Sequence, residues 1–201
     1  MEQKTCIIDF FNGLADRWDD IAENNKKEID FILDCAKLKS GSHVLDIGCG
    51  TGILEAEILK YNPEKILAID IAEKMILQAR RKFSDDRIEF RHADIYALNE
   101  TSFDCAFIFN AYPHFLEKEA LAEKLSFCLN TGGRFIIAHD CSRKKVNARH
   151  KGISCSGKKE DGEVYSELKS AETEAAVWRK YFSVDMLTDT DTLYVISGIK
   201  N

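Results

Sequence analysis

Prolines, paired cysteine motifs and long hydrophobic runs are scarce in this chain. Only 2 of its 201 residues are proline and 11 are glycine, which argues against a disordered chain. No apolar run approaches the roughly 20 residues that a membrane-spanning helix needs. The N-terminal Met-Glu-Gln-Lys-Thr precedes no sustained apolar segment of the kind found in signal peptides. We therefore expect a globular cytoplasmic protein with no membrane partner.

The cysteine and charge patterns indicate the redox compartment and the class of binding partner. The 7 cysteines are an odd number without a C-x-x-C pair, and several lie in apolar runs, as Cys105 does before Ala-Phe-Ile-Phe. This is typical of buried free thiols in a reducing compartment rather than of a disulfide framework. The net charge of −6 disfavours a nucleic acid as partner, although local patches can override net charge.

Strand and helix candidates alternate along most of the chain. The strand candidates are residues 43–47, 66–69, 88–91, 105–109 and 134–139, followed by a hairpin of 184–188 and 192–199. The helix candidates are 53–60, 73–82, 117–129 and a charged stretch near 166–181, after a helical region over 9–37. The alternation predicts an α/β fold, with a mostly parallel sheet covered on both faces and closed by an antiparallel pair.

The length of 201 residues suits one sizeable domain and is short for two. We expect a single domain over 1–201, with residues 1–40 as an N-terminal helical cap. Residues 140–165 are rich in Lys, Arg, Gly and Ser and interrupt the alternation, so we predict an inserted loop or lid there.

Residues 44–52 read Val-Leu-Asp-Ile-Gly-Cys-Gly-Thr-Gly and carry the most informative pattern. A buried strand is predicted to end at Gly48, Gly50 and Gly52, and helical spacing follows. A turn with so few Cβ atoms lets a ligand approach the backbone closely. The G-x-G-x-G spacing differs from the G-x-G-x-x-G of dinucleotide-binding folds, which disfavours a nicotinamide oxidoreductase. It resembles motif I of class I S-adenosylmethionine (SAM) methyltransferases.

Three further segments fit this resemblance. Residues 66–70 form the end of an apolar strand that finishes at Asp70, eighteen residues after Gly52. A carboxylate at this position can accept hydrogen bonds from both ribose hydroxyls. Residues 88–95 end another strand at Asp94. Residues 10–19 read Phe-Phe-Asn-Gly-Leu-Ala-Asp-Arg-Trp-Asp and resemble the F-x-x-x-A-x-x-W-D opening of the menaquinone/ubiquinone-biosynthesis-like small-molecule methyltransferases.

The resemblance covers about residues 9–139 and implies a Rossmann-like three-layer sandwich. It implies a seven-stranded, mostly parallel sheet with a C-terminal antiparallel hairpin, and SAM as the cofactor. By resemblance Asp46 meets the amino group of the cofactor, while Asp94 and Ile95 meet its adenine. The alternatives are a turn-stabilising role for Asp46, a solvated strand end at Asp94 and a plainly packed N-terminal helix. The implied cofactor-binding residues are Trp18, Asp46, Gly48, Cys49, Gly50, Gly52, Asp70, Ile71, Asp94, Ile95 and Asn110.

The resemblance places the acceptor beyond the ends of the fourth and fifth strands. The histidines predicted to lie at that end are His114, His139 and His150. Ser142 is a candidate N-cap of a helix that would carry His150 over the pocket. A histidine there can be the general base that deprotonates the acceptor. The three can instead bind a metal with Asp140 or Cys155, although no H-x-x-x-H or C-x-x-C spacing supports it, or simply shape the pocket.

The acceptor itself is less defined by the sequence. Asn110-Ala-Tyr-Pro does not match the N-P-P-Y motif of amine-directed methyltransferases, because proline stands where tyrosine should be. We expect a SAM-dependent transferase acting on a small-molecule acceptor, with an RNA or protein methyltransferase or a non-catalytic SAM-binding protein as alternatives. A basic cluster predicts either an anionic acceptor or a solvated loop. Its members are Arg143, Lys144, Lys145, Arg149, Lys151, Lys158 and Lys159.

Overall fold

The computed structural model describes residues 2–150 and 165–201 and contains a seven-stranded sheet. The strands are β1 (His43–Ile47), β2 (Lys65–Asp70), β3 (Ile88–His92), β4 (Phe103–Phe109), β5 (Leu129–His139), β6 (Phe182–Asp189) and β7 (Tyr194–Lys200). Their order is β3-β2-β1-β4-β5-β7-β6. The first five strands pair in parallel, and β7 is antiparallel to both β5 and β6. The predicted sheet and its C-terminal hairpin are therefore confirmed.

Helices cover both faces of the sheet. They are α1 (Glu2–Leu14), α2 (Trp18–Ile21), α3 (Lys26–Ala36), α4 (Glu55–Ile58), α5 (Glu73–Lys82), α6 (Lys118–Cys128), α7 (Arg143–His150) and α8 (Ala171–Trp178). Successive residues of β4 alternate between two buried clusters: Ala106 and Ile108 belong to one, Phe107 and Phe109 to the other. Because strand side chains point alternately to opposite faces, this alternation gives the three-layer sandwich that the sequence predicted.

Several predicted boundaries were wrong. The helix predicted over 53–60 is only α4, followed by a 3-10 turn at Leu59–Tyr61. The region 9–37 is three helices separated by a 3-10 turn and a loop, and the first begins earlier, at Glu2. The helix predicted near 166–181 begins only at Ala171, because the Ser170 hydroxyl accepts the Thr173 N–H and caps it there.

Strand β5 is longer than predicted because it contains a bulge. Phe103 pairs with Leu129 and Cys105 with Arg134, so two steps along β4 correspond to five along β5. Gly132 has a φ of +80° within this excursion, a conformation that glycine adopts easily. The turn-like Asn-Thr-Gly-Gly sequence therefore lies inside the strand instead of before it.

Five cysteines, Cys35, Cys49, Cys105, Cys128 and Cys141, are free and buried, as predicted. Cys6 is disulfide-bonded, which the sequence did not predict. Within the described ranges no helix is long and apolar enough to cross a membrane. The single-domain boundaries, the cytoplasmic location and the lid over 140–165 stay predictions, since residues 151–164 lie outside the described part of the chain.

Candidate functional site

A cavity of about 710 Å³ lies where β1, β2 and β4 end. The glycine turn after β1 lines it, together with apolar and aromatic side chains of α1 and α2. His139, at the end of β5, also lines it. The carboxyl ends of parallel strands therefore converge on one cavity, the usual position of ligand sites in open α/β sheets.

Gly48 requires glycine for both conformation and packing, and Gly50 for its conformation. Gly48 and Gly50 have φ values of +73° and +56°, which side chains other than glycine rarely adopt. A Cβ on Gly48 would stand 2.8 Å from the Cβ of Ala111, whereas a Cβ on Gly50 would stand 3.6 Å from the Trp18 indole nitrogen. Both glycines line the cavity, so the turn presents bare backbone to it.

Gly52 does not line the cavity, unlike the other predicted cofactor residues. A Cβ on it would stand 2.8 Å from the ring of Phe83 and 3.3 Å from that of Phe90. Its φ is +86°, so both conformation and packing require glycine there. The structure gives Gly52 a packing position behind the turn, not a place at the cavity wall.

The two strand-end carboxylates are already engaged in backbone hydrogen bonds. Asp70 accepts the Gly50 N–H at 2.9 Å and the Ala72 N–H at 2.7 Å, which ties the glycine turn to the end of β2. Burial raises the pKa of Asp70, and these two N–H groups oppose that rise. Asp94 accepts the Tyr96 N–H at 3.1 Å and pairs with Lys4 of α1. Carboxylate oxygens accept more than one hydrogen bond, so both remain able to meet a ligand.

Asp46 lines the cavity next to a second buried carboxyl group, Glu55, which the sequence analysis missed. Asp46 is 2% exposed and Glu55 is 0% exposed. Burial, with a smaller contribution from the charge of Asp70, raises the pKa of Asp46 to about 7. Burial and the charge of Asp46 raise the pKa of Glu55 well above its usual value. The available signal in the sequence was the position of Glu55, an acidic residue within the apolar helical spacing that follows the turn.

The three predicted histidines all line the other end of the cavity. His150 and His114 approach with their Nε2 atoms 3.1 Å apart, and His150 donates its Nδ1–H to the Val146 carbonyl at 2.8 Å. A neutral His150 therefore has a lone pair on Nε2, and His114 donates. The Nε2 of His139 is buried without a hydrogen-bond partner among the described residues. Burial, with the nearby His150 and His114, lowers the pKa of His139 to about 3.

Helix α7 carries His150 to the cavity as predicted. The Ser142 hydroxyl accepts the Lys145 N–H at 3.2 Å, which is the expected N-cap bond. Lys145 and Arg149 both pair with Glu23 at 2.7 Å. These cations are partly neutralised, and the predicted recruitment of an anionic acceptor stays a prediction.

Metal binding finds no support in the described part of the chain, where no group of three or more His, Cys, Asp or Glu side chains is arranged to hold an ion. Cys155, one of the predicted alternative ligands, lies outside it. Asp140, the other predicted alternative ligand, instead accepts hydrogen bonds from the Asn25 N–H at 2.7 Å and from the Asn110 side-chain amide at 3.0 Å. Asn110 itself has a φ of +53° and lines the cavity.

The remaining predicted cofactor residues, Trp18, Cys49, Ile71 and Ile95, also line the cavity. The site fits SAM on its own geometry: bare backbone at Gly48 and Gly50, carboxylates at three strand ends and an unpartnered oxygen on Asp46. A volume of about 710 Å³ lies within the range of roughly 300–1,000 Å³ that small-ligand pockets occupy.

Sequence comparisons agree with this geometry. Residues 44–133 match the family described as a methyltransferase domain. An O-methyltransferase of Penicillium expansum, cnsE, is 31% identical over 56% of this chain and 45% of its own. The malonyl-[acyl-carrier protein] O-methyltransferase of Acetivibrio thermocellus is 41% identical over 47% of this chain and 35% of its own. The chain spans less than half the length of these curated relatives.

Two solved structures share the fold across nearly the whole chain. A protein in complex with the Haloferax volcanii Trm112 methyltransferase activator superposes with a TM-score of 0.82 at 16% identity, covering 96% of this chain and 97% of that one. A SAM-dependent methyltransferase structure from Listeria monocytogenes superposes with a TM-score of 0.70 at 15% identity, covering 88% and 99%. At such identities the likeness shows the fold alone.

The family match begins at Val44 and contains the whole glycine turn together with Asp70 and Asp94. The fold around this segment is shared with the two solved structures. The matched residues 44–133 therefore form a methyltransferase domain, and the family match and the site together indicate S-adenosylmethionine as its cofactor.

Proposed function

We propose that this protein transfers the methyl group of SAM to a small, largely apolar acceptor that carries an O–H, N–H or S–H group. The observation that carries the proposal is the continuity of the cavity, which joins the glycine turn to the three histidines. Phe10, Phe11 and Phe115 contribute aromatic surface to it. Such a lining suits an apolar acceptor and excludes water from the reacting groups.

The cofactor end holds the donor in place. The bare backbone at Gly48 and Gly50 allows the cofactor to approach closely. The Asp46 carboxyl group lines the cavity, where it can accept a hydrogen bond from the amino group of SAM. Asp70 and Asp94 are the groups that we assign to the ribose and the adenine. SAM supplies an electrophilic methyl group on a sulfonium, and the protein contributes alignment for in-line displacement.

The histidines have different roles at the acceptor end. His139 stays neutral at physiological pH because its pKa is about 3, so it is a weak base but a suitable hydrogen-bond acceptor for the protic group. The His114–His150 pair takes up the proton that the acceptor loses. The neutral pair already shares one proton between the two Nε2 atoms, 3.1 Å apart, and a positive charge on either ring makes this hydrogen bond charge-assisted, which stabilises the cation.

The test is methyl transfer from radiolabelled SAM to three separate fractions: a metabolite extract, RNA and protein. Label that enters only the metabolite fraction supports the proposal, and label that enters only RNA or protein refutes the small-molecule acceptor. SAM binding without transfer to any fraction, both alone and after co-expression with a Trm112-type activator, indicates a non-catalytic SAM-binding protein.

Variants of the cavity histidines separate effects on methyl transfer from effects on SAM binding. We expect His139→Ala and His114→Ala to reduce turnover at least tenfold while SAM affinity, measured by calorimetry, changes little. His43→Gln is the matched control, because that histidine lies at the opposite end of β1 beside Glu64. Full turnover in both cavity variants would contradict the assigned roles.

An activator-dependent methyltransferase is the second candidate. The structure with a TM-score of 0.82 is that of a protein complexed with a methyltransferase activator, so an activator-dependent enzyme is a specific alternative. The same assay, repeated after co-expression with a Trm112-type activator, distinguishes it, since only this alternative requires the activator for transfer.

A further inference from the structure

Glu55 lies directly behind the glycine turn although it is an acidic residue. It is fully buried in α4, and its Oε2 is 3.4 Å from the position of a Cβ on Gly52. Acidic side chains are almost never fully buried unless they are paired with a suitable group. Glu55 therefore needs a partner, and Asp46 is the neighbouring carboxyl group.

Three oxygens of this carboxyl pair lack a donor. Asp46 Oδ1 and both Glu55 oxygens are buried without a hydrogen-bond partner in the described ranges. The two carboxyl groups are neighbours: a side-chain hydrogen bond between them lowers the pKa of Asp46 and raises the pKa of Glu55. Ionised carboxylates only accept, so two of them cannot satisfy one another, whereas a proton on one makes it a donor.

The surroundings favour retention of one proton. Asp70 on β2 adds negative charge, and the thiols of Cys49 and Cys105 on the turn and on β4 are apolar in character. The cation that acts on Glu55 is Lys82 of α5, whose Nζ lies 2.9 Å from Asp19 of α2 and is engaged there. A pair of buried carboxylates next to a third one is disfavoured by like-charge repulsion.

We propose that Glu55 is a positioning residue for the cofactor: it keeps its proton and donates it to Asp46, so that Asp46 is the carboxylate presented to the cavity. The proposal rests on the cofactor contact of Asp46 under the proposed function. When the ammonium group of SAM binds, Asp46 ionises and its proton leaves to solvent, while the proton on Glu55 remains. The cofactor thus meets one negative charge in a fixed orientation.

The first test is SAM affinity measured by calorimetry between pH 6 and 8. The pKa of Asp46 is about 7, so the wild-type affinity is expected to rise about tenfold across this range. Glu55→Gln keeps an N–H donor and loses only the titratable proton, so it should retain both the affinity, within about twofold, and the pH profile. Glu55→Leu removes the donor, so its midpoint should move to higher pH and its affinity at pH 7 should fall about tenfold.

Glu57→Gln is the matched control, because Glu57 is on the same helix but pairs with Lys26 and Lys60 outside the cavity. It should follow the wild type at every pH. A loss of affinity in Glu55→Gln as large as in Glu55→Leu would overturn the proposal, since it would mean that the ionised carboxylate of Glu55 is required. If Glu55→Leu does not fold, Glu55→Gln still carries this test.

A second measurement needs no cofactor. At pH 8 to 9, where exposed carboxyl groups are ionised, infrared spectroscopy of the protein should show a protonated carboxyl C=O band that is absent in Glu55→Gln. A missing wild-type band overturns the proposal even if SAM binds with high affinity. A band in a protein that does not bind SAM overturns the proposed function and, with it, the positioning role.

Discussion

Replacement of Gly48 by alanine tests the close packing beneath the cofactor end. Gly48 has a φ of +73°, and the added Cβ would stand 2.8 Å from the Cβ of Ala111. The left-handed conformation costs about 1–2 kcal/mol for a residue with a side chain. Reduced freedom of the unfolded chain offsets about 0.4–1 kcal/mol. The Ala111 Cβ cannot rotate away, so the backbone after β4 must move, which costs about 1–3 kcal/mol as in other overpacked sites.

These terms predict that Gly48→Ala lowers the free energy of unfolding by about 1–5 kcal/mol. Gly132→Ala is the control, because its φ is +80° and nothing lies within 4 Å of the added Cβ. That variant should lose only about 0–1.6 kcal/mol, the conformational cost less the gain from the restricted unfolded chain. Urea unfolding followed by circular dichroism measures both, with the slope against urea expected to stay constant.

The two variants should also differ in SAM binding. Gly48 and Ala111 both line the cavity, so moving either changes its shape, whereas Gly132 lies in the β5 bulge. We expect at least tenfold weaker SAM binding for Gly48→Ala and unchanged binding for Gly132→Ala, by calorimetry. Equal stability losses together with unchanged SAM affinity in both would refute the argument that this contact shapes the site.

Three further predictions address other parts of the site. Asp70→Asn replaces one of the two oxygens that accept the Gly50 and Ala72 N–H groups and should weaken SAM binding about tenfold or more in calorimetry; unchanged binding would contradict the role of Asp70. Unfolded His139 takes up a proton near pH 6.5, whereas the folded side chain does so only near pH 3, so native His139 gives stability that is lost as pH falls. Relative to His139→Phe, the wild type should lose up to about 1.4 kcal/mol per pH unit from pH 6.5 to 5, and parallel curves in urea unfolding would contradict this. Tyr112→Phe removes the hydroxyl that donates to Glu174 and accepts the Trp178 N–H, both at 3.1 Å, and should cost about 1–3 kcal/mol in urea unfolding without changing SAM affinity.

The positions that the sequence predicted best are those determined by strand periodicity. Asp46, Asp70 and Asp94 each lie at or just after the end of a parallel strand, and parallel strands bring their ends to one edge of a sheet. Their convergence on one cavity therefore needed only the strand assignments. The same reasoning placed His139 at the end of β5, even though the start of that strand was wrong.

What the sequence left undetermined depends on contacts between distant segments. Gly52 matches the motif as well as Gly48 does, but its neighbours Phe83 and Phe90 come from α5's end and β3, so only the fold gives it a packing position. Glu55 belongs to a helix with ordinary spacing, and its burial against Asp46 arises from the way α4 packs on the sheet. Pairwise electrostatics of this kind is set by three-dimensional packing and leaves little trace in residue order.

Helix α1 joins the two ends of the cavity through one aromatic side chain. The Phe11 ring packs edge-on against Trp18, with ring centroids 5.6 Å apart, and against His114 at 4.9 Å. Trp18 lies over Gly50 in the glycine turn, whereas His114 contacts His150. A shift of Phe11 must therefore disturb contacts at both the cofactor end and the acceptor end, because each edge-to-face pair contributes about 0.5–1.5 kcal/mol and depends on ring orientation. Phe11 is therefore the ring that contacts both Trp18 and His114.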